Sequence, residues 1–355
     1  MKNIKIDDTN NMLKKYKHSS NTFIIAEIGV NHNGNTELAK DMMLAARDAG
    51  ADCVKFQTFK ADRVVTNSAP KAHYQLKTTN PHESQVEMLK ALELSDEQHV
   101  SLFNYAKQLD MVFMSTPYNI EDVDELEVLG VTAYKLASIS CVEIPFIKYV
   151  ASKQKPVILS TGMATMSEVD AAVQAFKEVE NENFILMQCT TNYPSRTEDT
   201  NITAMKTMAD KYGCQVGYSD HTSGNVACIM SIALGASVIE KHFTTDQNLT
   251  GPDQSTSANP SEFKNLVTEI RVAEKMLGSG IKEPCEIELI NSVGMRRSIV
   301  AKKDILAGQT LEEDMLCFKR PASGLSPNLY YDILGKQVVS DIKKDSVLNV
   351  DDFIW

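Results

Sequence analysis

Two histidines stand at matching points of two predicted strands, and together they could hold a metal ion. His221 lies in GYSDHTSG and His242 in SVIEKHFTTD, with a helical stretch over residues 225–235 between them. A strand–helix–strand unit brings its parallel strands to the same sheet edge, so both imidazoles are expected there. A lone loop histidine is more often simply solvated, but the matching positions favour a metal site. A polar loop with Asp253 follows.

The elements that must position these side chains alternate regularly from Thr22 onward. We predict strands at 23–29, 53–57, 112–115, 133–137, 157–160, 184–189, 215–218 and 237–240. Amphipathic helices are predicted between them, for example over 37–49, 96–108, 167–178 and 261–277. Eight repeats in about 255 residues predict an α/β fold, the (β/α)8 TIM barrel. A doubly wound sheet is the alternative, but the turn EIGVNHNGN lacks the GxGxxG spacing typical of its phosphate loop.

Side chains at the carboxyl ends of the strands would face the barrel mouth, where such barrels carry their chemistry. The candidates combine a carboxylate, two lysines and many hydroxyls: Glu27, Lys55, Gln57, Ser115, Thr116, Lys135, Ser138, Ser160, Thr161, Thr190, Thr191, Tyr193 and Ser219. Because an ammonium is costly to bury without an anion, two lysines among hydroxyls suit a phosphate. A Schiff base on Lys55 or Lys135 is the alternative chemistry.

The chain divides by pattern into four segments. We predict an N-terminal extension over 1–20, the barrel over 21–280, a charged linker over 281–295 and a small, mostly β domain over 296–355. Inside the barrel, the connection from Thr58 to Leu94 is too long for a plain loop. Long connections in compact domains are usually functional, so we expect this one at the mouth, as a lid or a dimer contact.

Composition bounds the class of protein. A net charge of −11 over 355 residues argues against nucleic acid as the main partner. Neither a signal peptide nor a run of eighteen apolar residues is present, so we expect no export and no membrane span. Seven scattered cysteines without CxxC spacing indicate reduced, buried thiols in a cytoplasmic protein, with Cys189 and Cys214 packed in the core.

Segments along nearly the whole chain carry a family resemblance. They are AEIGVNHNG, VKFQTFKA, KAHYQLKTT with ESQ, STPYN, YKLASIS, PVILSTGMAT, CTTNYPS, GYSDHTSG, VIEKHFTTD with GPDQS, and KRPASG. In these segments the chain resembles the N-acetylneuraminate (sialic acid) synthase family, which includes legionaminic and pseudaminic acid synthases. The resemblance implies a transferase that condenses phosphoenolpyruvate with N-acetylmannosamine or a related 2-acetamido hexose, by C–O cleavage, to a nine-carbon 2-keto acid and phosphate.

The same resemblance implies partners and residue roles. It implies a divalent metal, Mn²⁺ or else Mg²⁺ or Co²⁺, on His221 and His242, and a domain-swapped homodimer whose antifreeze-like (SAF) domain caps the partner's site. Glu27 would move protons. The set implied for phosphoenolpyruvate is Lys55, Thr116, Lys135, Ser138, Ser160, Thr191 and Ser219. The set implied for the sugar is Gln57, Tyr193, Asp253 and Arg320, the arginine coming from the partner subunit.

Two positions depart from the family pattern. Ser140 stands where many members have a sugar-facing carboxylate, and Thr191 stands where some have asparagine. The first departure leaves the sugar open between N-acetylmannosamine and a 2,4-diacetamido-2,4,6-trideoxy hexose. A binding protein on a dead barrel is a further alternative, but it predicts missing lysine, histidine or glutamate at the mouth.

Overall fold

The computed structural model describes residues 21–72, 75–80 and 82–354. The predicted extension over 1–20 and part of the KAHYQLKTT segment therefore lie outside the described residues. The chain forms two compact units that divide between Gly278 and Ser279. No helix in the described ranges is both long and apolar enough to cross a membrane.

The first unit is the predicted barrel. Its strands are β1 Phe23–Gly29, β2 Cys53–Thr58, β3 Val112–Pro117, β4 Tyr134–Leu136, β5 Val157–Ser160, β6 Phe184–Cys189, β7 Gln215–Asp220 and β8 Ala236–His242. The hydrogen-bonded neighbours are parallel and follow the order β3-β2-β1-β8-β7-β6-β5-β4. β3 and β4 also lie side by side, which closes the ring. The prediction of a (β/α)8 barrel is confirmed, and that of an open doubly wound sheet is excluded.

Helices alternate with the strands. They are α1 Thr36–Asp48, α2 Ala61–Val64, α3 Gln75–Thr78, α4 Gln85–Lys90, α5 Asp96–Gln108, α6 Ile120–Leu129, α7 Ile144–Ser152, α8 Met166–Glu178, α9 Thr203–Tyr212, α10 Val226–Ala233 and α11 Pro260–Leu277. Three short ones, α2 to α4, belong to the long connection between β2 and α5. Capping explains several starts: Ser95 forms a capping box with Gln98, and Asn259 caps the helix that opens on Pro260. The predicted bounds of α5 are confirmed, and those of α1, α8 and α11 differ by one residue at one or both ends.

Two apolar layers fix the barrel. An outer layer packs the strands against the helices. An inner cluster fills the barrel below its mouth with Phe23, Ile25, Cys53, Met114, Ala133, Ile158, Ile185, Met187 and Val238. Strands buried on both faces read as nearly continuous apolar runs, which is why the sequence marks them clearly.

The second unit has a small core of its own. It contains α12 Glu286–Met295, the antiparallel strands β9 Ser298–Ala301 and β10 Leu316–Lys319, and α13 Tyr330–Ile333. Single bridges such as Val300↔Val347 and Ile305↔Ile342 join the remaining extended pieces. Helix α12 lies within the stretch for which we predicted a charged linker, so most of that stretch is ordered as a helix.

Candidate active site

The alternation of side chains along each strand builds the polar mouth directly above the apolar plug. On β1, Phe23 and Ile25 belong to the inner cluster, and Glu27 is the next residue on that face. The same step of two leads from Cys53 to Lys55 and from Val238 to Glu240. Successive residues of a strand point to opposite faces, so each strand offers a polar group to the interior where it ends.

These groups line one cavity of about 350 Å³. Every barrel residue to which the family resemblance assigned a role is among the lining residues: Glu27, Lys55, Gln57, Thr116, Lys135, Ser138, Ser160, Thr191, Tyr193, Ser219, His221, His242 and Asp253. We call the strand-end side chains Glu27, Lys55, Lys135, His221, Glu240 and His242 the floor of the cavity. The roles of these residues remain predictions.

Four buried charges form the centre of the floor. Lys55 Nζ lies 2.7 Å from Glu27 Oε2 and donates to Thr116 Oγ1 at 3.0 Å. Glu240 lies between the two lysines, with its oxygens 3.8 Å from each ammonium. Lys135 Nζ donates to Ser160 Oγ at 2.6 Å. Each buried ammonium therefore has an anionic neighbour, as burial of charge requires.

The two carboxylates of this cluster have opposite pKa shifts. Burial raises the pKa of Glu27 to about 7, since burial together with the charge of Glu240 outweighs the ammonium of Lys55. Burial also disfavours the charge of Glu240, but Lys135 and Lys55 outweigh it, helped by the Ser219 hydroxyl, and its pKa falls to about 2. Glu240 is thus a fixed anion at neutral pH, whereas Glu27 is poised to exchange a proton.

The two histidines stand side by side beyond the charged cluster. Their ring centroids are 5.6 Å apart, and the ring of Tyr193 lies 4.2 Å from that of His221. Burial lowers the pKa of His221, and it lowers that of His242 to about 3, so both imidazoles are neutral at physiological pH. Neutral imidazole is the form that binds metal.

The hydrogen bonds of these rings fit a metal site. His221 Nδ1 lies 2.7 Å from Thr190 O and donates to it, which leaves Nε2 as the acceptor. His242 Nδ1 is buried without a hydrogen-bond partner among the described residues, 4.0 Å from Asp253 Oδ2. Within the described ranges no third histidine, cysteine or carboxylate completes a ready-made metal cluster. Two protein ligands would leave the other positions of an ion to water and substrate.

Hydroxyl groups converge beside Lys135 at the ends of β4, β5 and β6. Gly162 N donates to Ser138 Oγ at 3.0 Å. A Cβ at Gly162 would stand 2.5 Å from Thr191 Oγ1 and 2.8 Å from Ser138 Oγ, so only glycine leaves room for both hydroxyls. The Gly162 N–H thus orients the Ser138 hydroxyl, and the hydroxyls with the nearby ammonium form a cradle suited to an anion.

Part of the cavity lining is apolar. We call the side chains Val30, Phe59, Val64, Met88, Leu89 and Leu92 the wall, and all six line the cavity. Five of the six lie on the long connection between β2 and α5, so the expectation that this connection lies at the mouth is confirmed. The connection is tied down at both sides: Arg63 pairs with Asp122 at 2.7 Å, and the Thr78 hydroxyl donates to Pro252 O at 3.2 Å.

Several candidates do not reach the cavity. Ser115 hydrogen-bonds Thr58 behind the sheet, Thr161 donates to Met187 O, and Thr190 donates to Asp199 O. Ser115 alternates with the lining residue Thr116, Thr161 with Ser160 and Thr190 with Thr191, so each points to the other face. Ser140 is buried at 1% exposure and does not line the cavity, whereas its neighbour Ile139 does. Arg320 is exposed on the second unit, directly after β10.

Some residues that line the cavity were not among the predicted site residues. Glu240 was treated as part of a strand, although its spacing of two from His242 signals the same face. Cys189 was expected in the core; it is buried, but it lines the cavity with Sγ 3.1 Å from Ser138 Oγ. Tyr118, which donates to Gln57 Oε1 at 3.1 Å, stands in the STPYN segment but was given no role. Cys53, Cys141, Cys189 and Cys228 are buried, as expected, whereas Cys214 and Cys317 are half-buried and Cys285 is exposed.

A closed barrel whose strand ends gather buried lysines, carboxylates and neutral histidines in one cavity belongs to the enzymes of the (β/α)8 class. The model of the NeuB family matches residues 42–282, and that of the SAF domain matches residues 296–354. The chain therefore belongs to the NeuB family, whose members are synthases of the sialic-acid type. The family and the SAF domain expected from the sequence are confirmed.

Relatives match over nearly full length. The chain is 44% identical to the N,N'-diacetyllegionaminic acid synthase of Campylobacter jejuni, covering 92% of this chain and 98% of that one. It is 42% identical to the enzyme of the same name from Legionella pneumophila, covering 95% and 96%. A crystal structure of N-acetylneuraminic acid synthetase from Leptospira borgpetersenii matches with a TM-score of 0.69 and 34% identity, covering 76% and 90%.

Proposed function

We propose that the protein condenses phosphoenolpyruvate with an N-acetylated hexose to give a nine-carbon 2-keto acid and phosphate. The observation that carries the proposal is the floor, which brings two buried lysines and two neutral histidines to one cavity. Lysines suit the anionic substrate, and histidines suit a metal that activates an aldehyde. Near-full-length similarity to synthases of this type supports the same reaction.

Phosphoenolpyruvate is assigned to the lysine side of the floor. Lys55 and Lys135 supply the positive charge, and Thr116, Ser138, Ser160, Thr191 and Ser219 surround them with hydroxyls. The ammonium groups of Lys55 and Lys135 each lie 3.8 Å from a carboxylate oxygen of Glu240. They are therefore close enough for one anion to be shared between them. A bound anion would raise the pKa of Glu27 and so favour its protonated form.

The sugar aldehyde is assigned to the histidine side. A divalent ion on His221 and His242, for which we propose Mn²⁺, would polarise the aldehyde as a Lewis acid. Carbon 3 of phosphoenolpyruvate then attacks the aldehyde carbon, water adds at carbon 2, and phosphate leaves by C–O cleavage. Two protons move in this sequence, both from the added water, one to the aldehyde oxygen and one to the departing phosphate. Glu27, with its pKa near neutrality, is placed to exchange them.

For the sugar we propose a 2,4-diacetamido-2,4,6-trideoxy hexose rather than N-acetylmannosamine. The wall offers apolar contact to methyl groups, and such a hexose carries two acetamido methyls and a C6 methyl. Among the wall residues, Phe59, Met88 and Leu92 are themselves buried, so a hydroxymethyl group facing them would lose hydration. Two similar proteins are named as diacetyllegionaminic acid synthases.

Phosphate release tests the reaction and the sugar together. Purified protein with Mn²⁺ and phosphoenolpyruvate should release phosphate with the diacetamido sugar, more slowly with N-acetylmannosamine, and not without sugar. No phosphate with any N-acetylated hexose would refute the proposal. Burial lowers the pKa of Lys135, which also favours a Schiff-base aldolase. Borohydride trapping in the presence of substrate should leave Lys135 unmodified, and a stable adduct would establish the aldolase instead.

We further propose a domain-swapped homodimer in which Arg320 of the partner subunit completes the sugar site. In support, Arg320 is exposed on the second unit, and helix α12 leaves Ile287, Ile290 and Val293 more than half exposed. An exposed apolar stripe on a helix is suited to docking. Mixing an inactive Arg320→Ala variant with an inactive His221→Ala variant should restore activity after subunit exchange. No recovery after confirmed exchange would show that each chain completes its own site.

A further inference from the structure

A second buried ion pair lies one residue before each histidine. Asp220 and Lys241 are register partners in the β7–β8 ladder, and their side chains meet at 2.5 Å. His221 follows Asp220, and His242 follows Lys241. Because side chains alternate, the pair faces the helix layer while the imidazoles face the cavity. Neither residue lines the cavity.

The pair is fully hydrogen-bonded. Lys241 Nζ donates to Asp220 Oδ2, to Thr222 O at 2.9 Å and to Gly224 O at 3.0 Å, which uses all three of its protons. Asp220 Oδ1 accepts from Thr222 N at 2.9 Å and from the Thr222 hydroxyl at 2.8 Å, and Oδ2 accepts from Cys228 Sγ at 3.2 Å. The pair thus ties β7, β8, the loop over 222–224 and α10 together.

The tied loop reaches the residues around the metal site. His221 O accepts a hydrogen bond from Ser195 N at 2.8 Å, and Ser195 forms an isolated parallel β-bridge with Thr222. Ser195 also ends the loop that carries Tyr193. At the start of this loop, Thr190 O accepts the hydrogen bond from His221 Nδ1. A shift of Thr222 would therefore move the His221 backbone and the loop over 190–195 together.

We propose that Asp220 and Lys241 are positioning residues that set the spacing of His221 and His242 for metal binding. They act through the backbone next to the histidines, without touching substrate or metal. Outer partners that orient metal ligands commonly change metal affinity when they are removed. The consequence for metal affinity rests on the proposed function, whereas the restraint on the two loops does not.

The test replaces the whole pair, Asp220→Leu with Lys241→Met, so that no unpaired charge remains buried. The control is Glu127→Leu with Lys155→Met, a half-exposed ion pair of 2.8 Å. Glu127 lies on the helix before β4, and Lys155 lies just before β5. Calorimetric titration of metal-free protein with Mn²⁺ should show the dissociation constant raised by about 10–100-fold in the Asp220/Lys241 variant. The control should match the parent protein.

Hydrogen exchange of the metal-free proteins supplies the readout that needs no metal. Amides of residues 190–196 and 220–226 should exchange about tenfold faster in the Asp220/Lys241 variant, with the other strands unchanged. Unchanged exchange in these loops, or uniform acceleration over the whole barrel, would overturn the proposal. Parent protein that binds no Mn²⁺ would contradict the proposed function, and the exchange result would still decide the role of the pair.

A variant that keeps the charge guards against failure to fold. Lys241→Arg replaces three single donors by a planar fork that does not match the same three acceptors. It should show weaker Mn²⁺ binding and faster exchange in the same two loops, and Lys155→Arg should show neither. Parent-like values for Lys241→Arg in both measurements, if the double variant does not fold, would refute the positioning role.

Discussion

The floor and the wall of the cavity are built in different ways. Each floor residue stands in or directly after a barrel strand, where parallel ladders to the neighbouring strands fix its height and direction. The wall lies mostly on one connection with three short helices, held by a small apolar cluster and a few side-chain contacts. A strand end cannot shift without disturbing its neighbours, whereas a loop can change more freely.

We propose that this difference separates chemistry from selectivity. In the proposed function the floor carries the charges and neutral imidazoles that act on both substrates, so changes there should affect every sugar alike. The wall offers apolar contact, so changes there should affect one sugar more than another. Substitutions in the floor and in the wall can test this division.

The largest effect is expected from the histidines. His221→Ala or His242→Ala should abolish measurable turnover with every sugar, since Lewis-acid assistance is worth several kcal/mol or roughly a thousandfold in rate. Mn²⁺ binding by calorimetry should weaken in parallel. His82→Ala, an exposed histidine on the long connection, is the control and should behave as the parent. Full turnover of the His221→Ala or the His242→Ala variant in the presence of a chelator would show that these histidines do not hold a required metal.

Glu27→Gln should lower kcat by about 10²–10⁴-fold, the usual range for a lost proton-transfer group. The variant also tests the pKa near 7. An anion bound beside Glu27 raises this pKa further, so phosphoenolpyruvate binding should take up protons between pH 7 and 8. Calorimetry in buffers of different ionisation enthalpy measures this uptake. Uptake that persists unchanged in Glu27→Gln would show that another group titrates.

Lys135→Met should raise the KM for phosphoenolpyruvate by about 10–100-fold, the equivalent of one charge-assisted hydrogen bond. Lys55→Met should act in the same direction. The KM for the sugar should change less, because the positive charge of the lysines is assigned to the anionic substrate. Lys40→Met, in an exposed pair with Glu37 on α1, controls for loss of charge. A rise confined to the KM for the sugar would show that the lysines bind the sugar and not phosphoenolpyruvate.

Much of the floor could be predicted because its signal is local. Phe23, Ile25 and Glu27 show the pattern, with apolar residues at steps of two followed by a polar one at the strand end. Family motifs then assigned roles to the same positions. Ser115 and Thr161 were misplaced because the sequence shows where a strand ends but not which of two adjacent hydroxyls faces inward.

The wall and the second unit were harder to predict because their order depends on distant contacts. Met88 and Leu92 pack against Val30 and Phe59, which lie far away in sequence. Helix α12 was taken for a linker because glycine, proline and charged residues surround it. Glu240 was overlooked because a glutamate within an apolar strand reveals its partners, Lys55 and Lys135, only when the barrel closes.

The smallest effect, and the one that tests the comparison most directly, is expected from the wall. Met88→Gln keeps the side-chain length but replaces an apolar surface that is 4% exposed with an amide. It should lower kcat/KM for the diacetamido sugar by about tenfold, since a methyl contact is worth roughly 1–3 kcal/mol. N-acetylmannosamine should lose less, and the KM for phosphoenolpyruvate should not change. Lys90→Gln, exposed on the same helix α4, is the control. Equal losses for both sugars, or a raised KM for phosphoenolpyruvate, would mean that the wall does not select the sugar and that floor and wall act as one unit.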